Sequence, residues 1–201
     1  MAIHWASRHA DRRITWWIGV LFAIGSACFF VGPFPGFVDV VGSAADGIVF
    51  FVGSLFFTSA ALLQALSAQG GDRLPSMIQF AGTIFFNADT YRAMQSGIDD
   101  SKVDRLIWTP ELAGSICFLV SGFIAYRGVR AAGHAAKRNR EWQIAAINLV
   151  GCVLFGISTI ASYVVPKTGD VLDLAAANTT TALGALCFLI GALLLIPRRS
   201  G

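Results

Sequence analysis

Apolar residues lie in long, nearly unbroken runs along this chain, and polar residues are confined to short stretches between them. Five runs, at 14–34, 47–68, 110–126, 142–165 and 172–196, are close to or above the roughly 20 mostly apolar residues that a membrane-spanning helix requires. A sixth run, at 76–94, is weaker because Gln79, Gly82 and Thr83 interrupt its apolar part. The pattern predicts an all-α integral membrane protein, with a single membrane domain over 1–201 folded as a bundle of six transmembrane helices. A re-entrant or interfacial segment is the alternative for 76–94.

Composition agrees with lipid as the solvent of this fold. Of the 201 residues, 55% are apolar and 13% are charged, whereas about 25% of residues are charged in soluble domains. Each of the four cysteines lies inside an apolar run, without Cys-x-x-Cys spacing, which argues against a disulfide framework and against a zinc site. The loops are too short to hold a catalytic domain, so we expect no enzyme activity, no cofactor and no metal.

The placement of positive charge predicts how the helices are oriented. Lys and Arg collect in the cytoplasmic loops of membrane proteins. With six crossings and a cytoplasmic N-terminus, eleven of the fifteen Lys and Arg residues fall inside and four fall outside. If 76–94 did not cross, the division would be eight against seven. We therefore predict six crossings with both termini cytoplasmic.

Each predicted helix carries one copy of a short motif, in which Gly is followed by Ser, Thr, Ala or Cys and then, four residues after the glycine, by Phe. The glycine leaves a notch on the helix surface, and the Phe lies on the same face one turn further along. Because helices in lipid associate through close backbone approach, the motif predicts helix packing, with a ligand-lining role as the alternative. The six Gly and Phe pairs are Gly25 and Phe29, Gly53 and Phe57, Gly82 and Phe86, Gly114 and Phe118, Gly151 and Phe155, and Gly184 and Phe188.

Two copies of the motif match over a longer stretch. Residues 25–34 and 114–123 share Gly, Ser, Cys, Phe, Val and a final Phe at corresponding positions. This match predicts a duplicated unit of three helices. Because three is odd, the two halves would face opposite ways in the membrane, which is the inverted-topology repeat found in transporters.

The chain resembles the YrhK-like small membrane proteins of bacteria, best over 12–66. The residues that carry the resemblance are Trp16 and Trp17 after a basic stretch, the Gly25-Ser26 and Gly53-Ser54 pairs, and Phe56-Phe57. Members of that family are often a single helical hairpin, so this longer chain departs from the pattern. The resemblance implies a helical fold in a bacterial plasma membrane and implies no activity or catalytic residue.

A group of polar residues in the outer half of 76–94 and at the start of 110–126 is the candidate functional cluster. Ionisable groups at membrane depth are costly and frequently mark functional sites. The group predicts an outward-facing proton or cation site. An ion pair between Asp89 and Arg92 that ends a short helix at the interface is the alternative. The members are Asn87, Asp89, Tyr91, Arg92 and Glu111.

Three amide side chains, those of Gln64, Gln79 and Asn148, also lie within the predicted helices. We expect interhelical hydrogen bonds made by these amides to explain them without a ligand.

Two classes of function remain. The first is a structural or accessory protein of the cell membrane, whose partners are membrane lipids and either further copies of itself or another membrane protein; nothing indicates nucleic-acid binding. The second is a small transporter or channel that uses the cluster near Asp89 and Glu111. A polar cavity that reaches one face of the bundle would favour transport, and a dry, fully packed bundle would count against it.

Overall fold

The computed structural model describes residues 9–95, 104–132, 139–165 and 168–197, and the described part is almost entirely helical. We number seven α-helices along it: α1 (His9–Val31), α2 (Pro35–Val41), α3 (Ser43–Ser67), α4 (Arg73–Ala93), α5 (Thr109–Ala131), α6 (Arg140–Ala161) and α7 (Leu174–Leu195). A short π-helical turn, Asp104–Trp108, leads into α5.

Five of these helices are long and apolar enough to cross a membrane, as expected of an integral membrane protein; they are α1, α3, α5, α6 and α7. The helix α4 has 21 residues and is therefore about 31 Å long at 1.5 Å per residue. It is not among the five because Asn87, Asp89 and Arg92, together with residues at its other end, lower its hydropathy. The predicted count of six crossings is therefore not confirmed by length and composition.

The helix ends differ from the predicted runs by a few residues, and one short helix was not predicted. The helix α2 occupies the predicted loop between the first two runs, with Pro35 at its start, where the fixed φ of proline suits a helix. Gly42 has φ 81, a conformation that favours glycine. It separates α2 from α3, so α3 begins at Ser43 and not at 47.

Side chains cap several helix ends. The side chain of Asn139 accepts a hydrogen bond from the Glu141 amide at 2.9 Å, and that of Asp173 accepts one from the Ala176 amide at 2.9 Å. Both satisfy amides that a helix start leaves unpaired. At the end of α7, the guanidinium of Arg140 donates to the carbonyl oxygens of Leu194 and Ile196. This contact ties α6 to α7 and places a positive charge at a helix C-terminus, where it is stabilising.

The six long helices form a closed ring in chain order. Each packs against the helices before and after it, and α7 closes the ring against α1. The ring consists of three antiparallel hairpins: the first is α1 with α3, the second α4 with α5, and the third α6 with α7. We call the end of the ring where α1 begins the N-terminal end, and the other the opposite end.

The motif glycines hold each hairpin together, because each one lies against the motif Phe of its partner helix. A Cβ added to Gly25 would lie 3.1 Å from the Phe57 ring, and one added to Gly53 would lie 3.5 Å from the Phe29 ring. The same exchange recurs in the other hairpins. The corresponding distances are 2.8 Å from Gly82 to Phe118, 3.0 Å from Gly114 to Phe86, 3.1 Å from Gly151 to Phe188 and 3.6 Å from Gly184 to Phe155.

The six motif Phe side chains meet on the ring axis and form one cluster, which we call the aromatic plug (Phe29, Phe57, Phe86, Phe118, Phe155 and Phe188). Phe57, Phe118 and Phe188 form a triangle with ring centroids 5.6–6.0 Å apart. Phe155 lies 6.1 Å from both Phe29 and Phe86, in a second layer. Aromatic pairs of this kind each contribute about 0.5–1.5 kcal/mol beyond area burial.

The predicted inverted repeat of two three-helix halves is not confirmed. The equivalent contacts link α1 to α3, α4 to α5 and α6 to α7, so the repeating unit in the packing is a hairpin of two helices.

Replacing Gly53 with Ala tests the hairpin contact. The new Cβ would lie 2.6 Å from the Cβ of Cys28, which is fixed to the backbone of α1, so the helices must separate. We expect the free energy of unfolding to fall by about 1–3 kcal/mol, the usual cost of overpacking. Thermal unfolding in a mild detergent measures it.

Gly128→Ala is the matched control. Nothing lies within 4 Å of a Cβ at Gly128, so this substitution gains up to about 1 kcal/mol of helix propensity. Equal effects of the two substitutions on stability would contradict the proposed role of the notch.

Candidate functional site

The predicted outer cluster divides into two groups. Asn87, Asp89 and Glu111 are half-buried between helices, whereas Tyr91 and Arg92 are exposed. The ring of Tyr91 lies 5.6 Å from that of Phe51, and Arg92 donates a hydrogen bond to Gln95 at 3.3 Å. Arg92 therefore contacts a neighbour on its own chain segment, and not Asp89 as in the alternative ion pair.

Asp89 on α4 and Glu111 on α5 face each other across the second hairpin, close enough for their carboxyl groups to interact electrostatically. Glu111 accepts a hydrogen bond from the Ser162 hydroxyl at 2.9 Å. Asn87 accepts one from the Thr58 hydroxyl at 3.0 Å. The cluster thus links α3, α4, α5 and the end of α6 at the opposite end of the ring.

The other two hairpins have different residues at the positions of this acidic pair. Asp89 is seven residues after its motif glycine, and Glu111 is three before its own. In the third hairpin the same positions hold Ser158 and Thr181, whose hydroxyls are 2.5 Å apart. In the first hairpin they hold Gly32 and Phe50, and a Cβ on that glycine would meet the Phe50 ring at 2.5 Å. One hairpin in three therefore carries carboxyl groups at this level.

A cavity of about 680 Å³ occupies the N-terminal half of the ring. We call it the vestibule. It extends from the helix ends near Arg12, Asp72 and Glu141 inward to the aromatic plug, where Phe57, Phe118 and Phe188 form its floor. This volume lies within the range of about 300–1,000 Å³ that is typical of small-molecule sites.

The three amides that were expected to form interhelical hydrogen bonds line the vestibule instead. Gln64 on α3, Gln79 on α4 and Asn148 on α6 all contribute to its wall. Within the described residues, none of these three side chains has a hydrogen-bond partner. The expectation of interhelical amide bonds is therefore wrong, because all three side chains line the cavity.

Charged groups surround the mouth of the vestibule. Asp72 and Glu141 supply carboxyl groups, and Arg12 and Arg140 supply guanidinium groups. Burial, and secondly the nearby Glu141 carboxylate, raises the pKa of Asp72 above its ordinary value. Among the described residues that line the mouth, the two carboxyl groups therefore equal the two guanidinium groups in number.

Sequence reasoning treated the vestibule amides as structural, although the sequence contains a signal that two of them share one level. Gln79 and Asn148 each lie three residues before a motif glycine. The equivalent residue of the first hairpin is Phe22, which also lines the vestibule. A register counted from the motif glycines would have placed Gln79, Asn148 and Phe22 together on the ring axis.

Comparison with known proteins finds no matching family model, no matching curated protein and no matching solved structure. The resemblance to YrhK-like proteins therefore stays a prediction. In the described ranges, no group of three or more His, Cys, Asp or Glu side chains is arranged to hold a metal ion.

Cysteine labelling tests whether the vestibule contains water. In a variant with the four native cysteines replaced by Ala, we expect Ala125→Cys, on the vestibule wall, to react with a membrane-impermeant thiol reagent. A cavity of this size has room for roughly twenty waters at about 30 Å³ each, and water is needed to form the reactive thiolate.

Phe123→Cys is the control on the same helix. Phe123 is 53% exposed on the outer surface of the ring, which faces lipid in a membrane, so its thiol should react slowly. Equal labelling of the two positions, or labelling of Phe123→Cys alone, would contradict the assignment of the cavity as a water-filled vestibule.

Proposed function

We propose that this chain is a small transporter, in which a solute moves along the axis of the six-helix ring and the aromatic plug closes the path between a vestibule and the outer polar cluster. The vestibule carries the proposal. A cavity that reaches one end of the bundle and holds unpartnered amides has no use in a purely structural protein. It is also the feature that separates the two predicted classes of function.

Six membrane crossings are part of this proposal. The helix α4 packs between α3 and α5 as one sixth of the ring, and its length of about 31 Å matches the roughly 30 Å hydrocarbon core of a bilayer. Its polar residues weaken its hydropathy, but Gln79, Asn87 and Asp89 face neighbouring helices or the vestibule and not lipid. Polar groups in membrane helices characteristically point into the bundle.

Orientation follows from charge. The N-terminal end of the ring carries Arg12, Arg73 and Arg140, and positive residues collect on the cytoplasmic side. We therefore place the vestibule on the cytoplasmic side and the Asp89 and Glu111 pair on the outer side. The protein would then be in an inward-open state.

The position of the acidic pair supports its place on the solute path. Gln79 on α4 and Ser121 on α5 line the vestibule. Gln79 is three residues before its motif glycine, and Ser121 is seven residues after its own. Asp89 and Glu111 take the reversed positions on the outer side, seven residues after and three residues before the motif glycines. The antiparallel hairpin therefore turns both pairs toward the same face, which looks onto the ring axis.

Alternating access to the two sides of the membrane is better described by movements of three hairpins than by movements of two inverted halves. An in-plane two-fold axis that carried the first three long helices onto the last three would reverse the direction in which the chain circles the ring. The ring runs in one direction throughout. Movements of one hairpin against the other two, at the contacts of α3 with α4, α5 with α6 and α7 with α1, are the opening motion that this arrangement favours.

Removing one aromatic side chain of the plug tests whether the axis of the helix ring is the solute path. In proteoliposomes, Phe118→Ala should raise passive glycerol permeability above that of the unmodified protein, measured by stopped-flow light scattering. Truncating a buried Phe costs about 3–5 kcal/mol of stability, so thermal unfolding must show a folded sample, with Phe118→Leu as the milder variant.

Phe123→Ala is the matched control, because Phe123 is on the same helix and faces outward. Its permeability should equal that of the unmodified protein. If folded Phe118→Ala and Phe118→Leu both remain as tight as the control, the axis is not a path. The structural or accessory function would then be the better explanation.

A further inference from the structure

The walls of the vestibule differ between its mouth and its depth. All four of the charged residues that line it, Arg12, Asp72, Arg140 and Glu141, are at the mouth. Below them the described lining consists of apolar and uncharged polar side chains. An ion that contacts the floor would give up the hydration on that side without gaining a partner of opposite charge, which is unfavourable.

The floor and the lower wall are aromatic and aliphatic. Phe57, Phe118 and Phe188 form the floor, and Ile18 and Phe22 extend the apolar surface up the side of α1. Aromatic floors of this kind bind flat apolar groups by stacking and edge contacts. At the level of Gln79 and Asn148, the first hairpin therefore supplies the apolar side chain of Phe22, where the second and third hairpins supply amides.

The amides stand at two heights above this floor. Gln79 and Asn148 are three residues from the motif glycines that face Phe118 and Phe188, which places them about 4.5 Å along the axis. Gln64 is seven residues after Phe57 on α3, which places it about 10 Å from Phe57 along the helix axis. Each amide carries both a donor and an acceptor, so together they can bind a carbonyl, hydroxyl or amide group of a ligand.

The position of Asn148 is fixed by its neighbour. Gly191 on α7 leaves no room for a Cβ, because the Asn148 side-chain oxygen occupies that space. The amide is therefore held in place by packing while its hydrogen-bonding capacity within the described structure is unused. A positioned polar group next to an apolar surface is the usual composition of a specific small-molecule site.

From this arrangement we infer that the vestibule binds an uncharged amphiphilic molecule, with a flat apolar body on the aromatic floor and an amide, carbonyl or hydroxyl group bonded to Gln79 and Asn148. That this ligand is a transport substrate rests on the proposed function, but its binding to the vestibule does not require transport.

Three naphthalene compounds that share one ring system, of which one is uncharged, one anionic and one cationic, test the inference. The full-length protein in lipid nanodiscs is dialysed to equilibrium against 2-naphthamide, 2-naphthoate or 2-naphthylmethylammonium at pH 7, with empty nanodiscs as the baseline for lipid partitioning. We expect saturable binding of the uncharged amide, one per chain. The anion and the cation should bind at least about tenfold more weakly, because each buries an unpaired charge.

Two variants separate the vestibule from other sites. Gln79→Ala with Asn148→Ala removes the amides and should weaken 2-naphthamide binding by about tenfold or more, as expected for the loss of two hydrogen bonds. Gln95→Ala removes an exposed amide at the opposite end and should leave binding unchanged. Thermal unfolding of both variants confirms that they are folded.

Three outcomes would overturn the inference: binding no greater than that of empty nanodiscs, tighter binding of either charged compound, or equal loss of binding in both variants. These results are independent of the glycerol experiment. Leakage through Phe118→Ala without binding of 2-naphthamide would refute the ligand class and leave transport standing, whereas binding without leakage would refute transport and leave the site standing.

Discussion

The close approach of two helix backbones at each pair of motif glycines is the constraint on which the rest of this structure depends. Apolar side chains gain little by moving from lipid to protein, so helices in a membrane need close van der Waals fit to associate. The carbonyl oxygen of Gly53 would be only 2.8 Å from a Cβ on Gly25, and that of Gly184 would be 3.2 Å from one on Gly151. No residue with a side chain fits at these crossings without moving the helices apart.

The same contact accounts for the plug and for the vestibule. At each crossing the Phe that follows a glycine lies against the partner's glycine and reaches the axis, so three crossings bring six rings together in the two layers of the plug. Toward the N-terminal end the ring encloses a cavity of about 680 Å³. At the opposite end, side-chain contacts such as Ser158 with Thr181 at 2.5 Å and Glu111 with Ser162 at 2.9 Å hold the helices together. The asymmetry between the two ends is therefore a property of the side chains around a symmetric set of crossings.

Much of the fold could be predicted from local pattern. The apolar runs locate every long helix, because a run of apolar residues is a property of the chain alone. The short helix α2 was missed since seven residues around Pro35 carry no such pattern. The repeat was predicted from the likeness of 25–34 to 114–123, but Gly25 and Gly114 lie in different hairpins and on opposite helices of those hairpins. The two segments are similar because each must allow close contact between helix backbones at a glycine crossing.

The candidate site was less accessible to sequence reasoning. Asp89 and Glu111 were predicted to belong to one cluster, since their positions near two helix ends are readable from the chain. The vestibule depends on the closure of the ring by α1 and α7, whose contact joins the two ends of the chain and leaves no local signal. Without that closure Gln64, Gln79 and Asn148 have no common surroundings, and amides in a membrane helix are then most simply explained by interhelical hydrogen bonds.

Ring closure is the central claim, and a disulfide between the first and last long helices tests it most directly. A Cβ at Gly19 would lie 2.7 Å from the Cγ1 of Ile196, near enough for the Cβ separation of about 3.8 Å that a disulfide requires. In a variant without native cysteines, Gly19→Cys with Ile196→Cys should form a disulfide within single monomers in membranes. Gly19→Cys with Leu193→Cys should not, because Leu193 is 55% exposed on the outside of the ring. Failure of the first pair to cross-link, or equal cross-linking by both pairs, would contradict the closed ring.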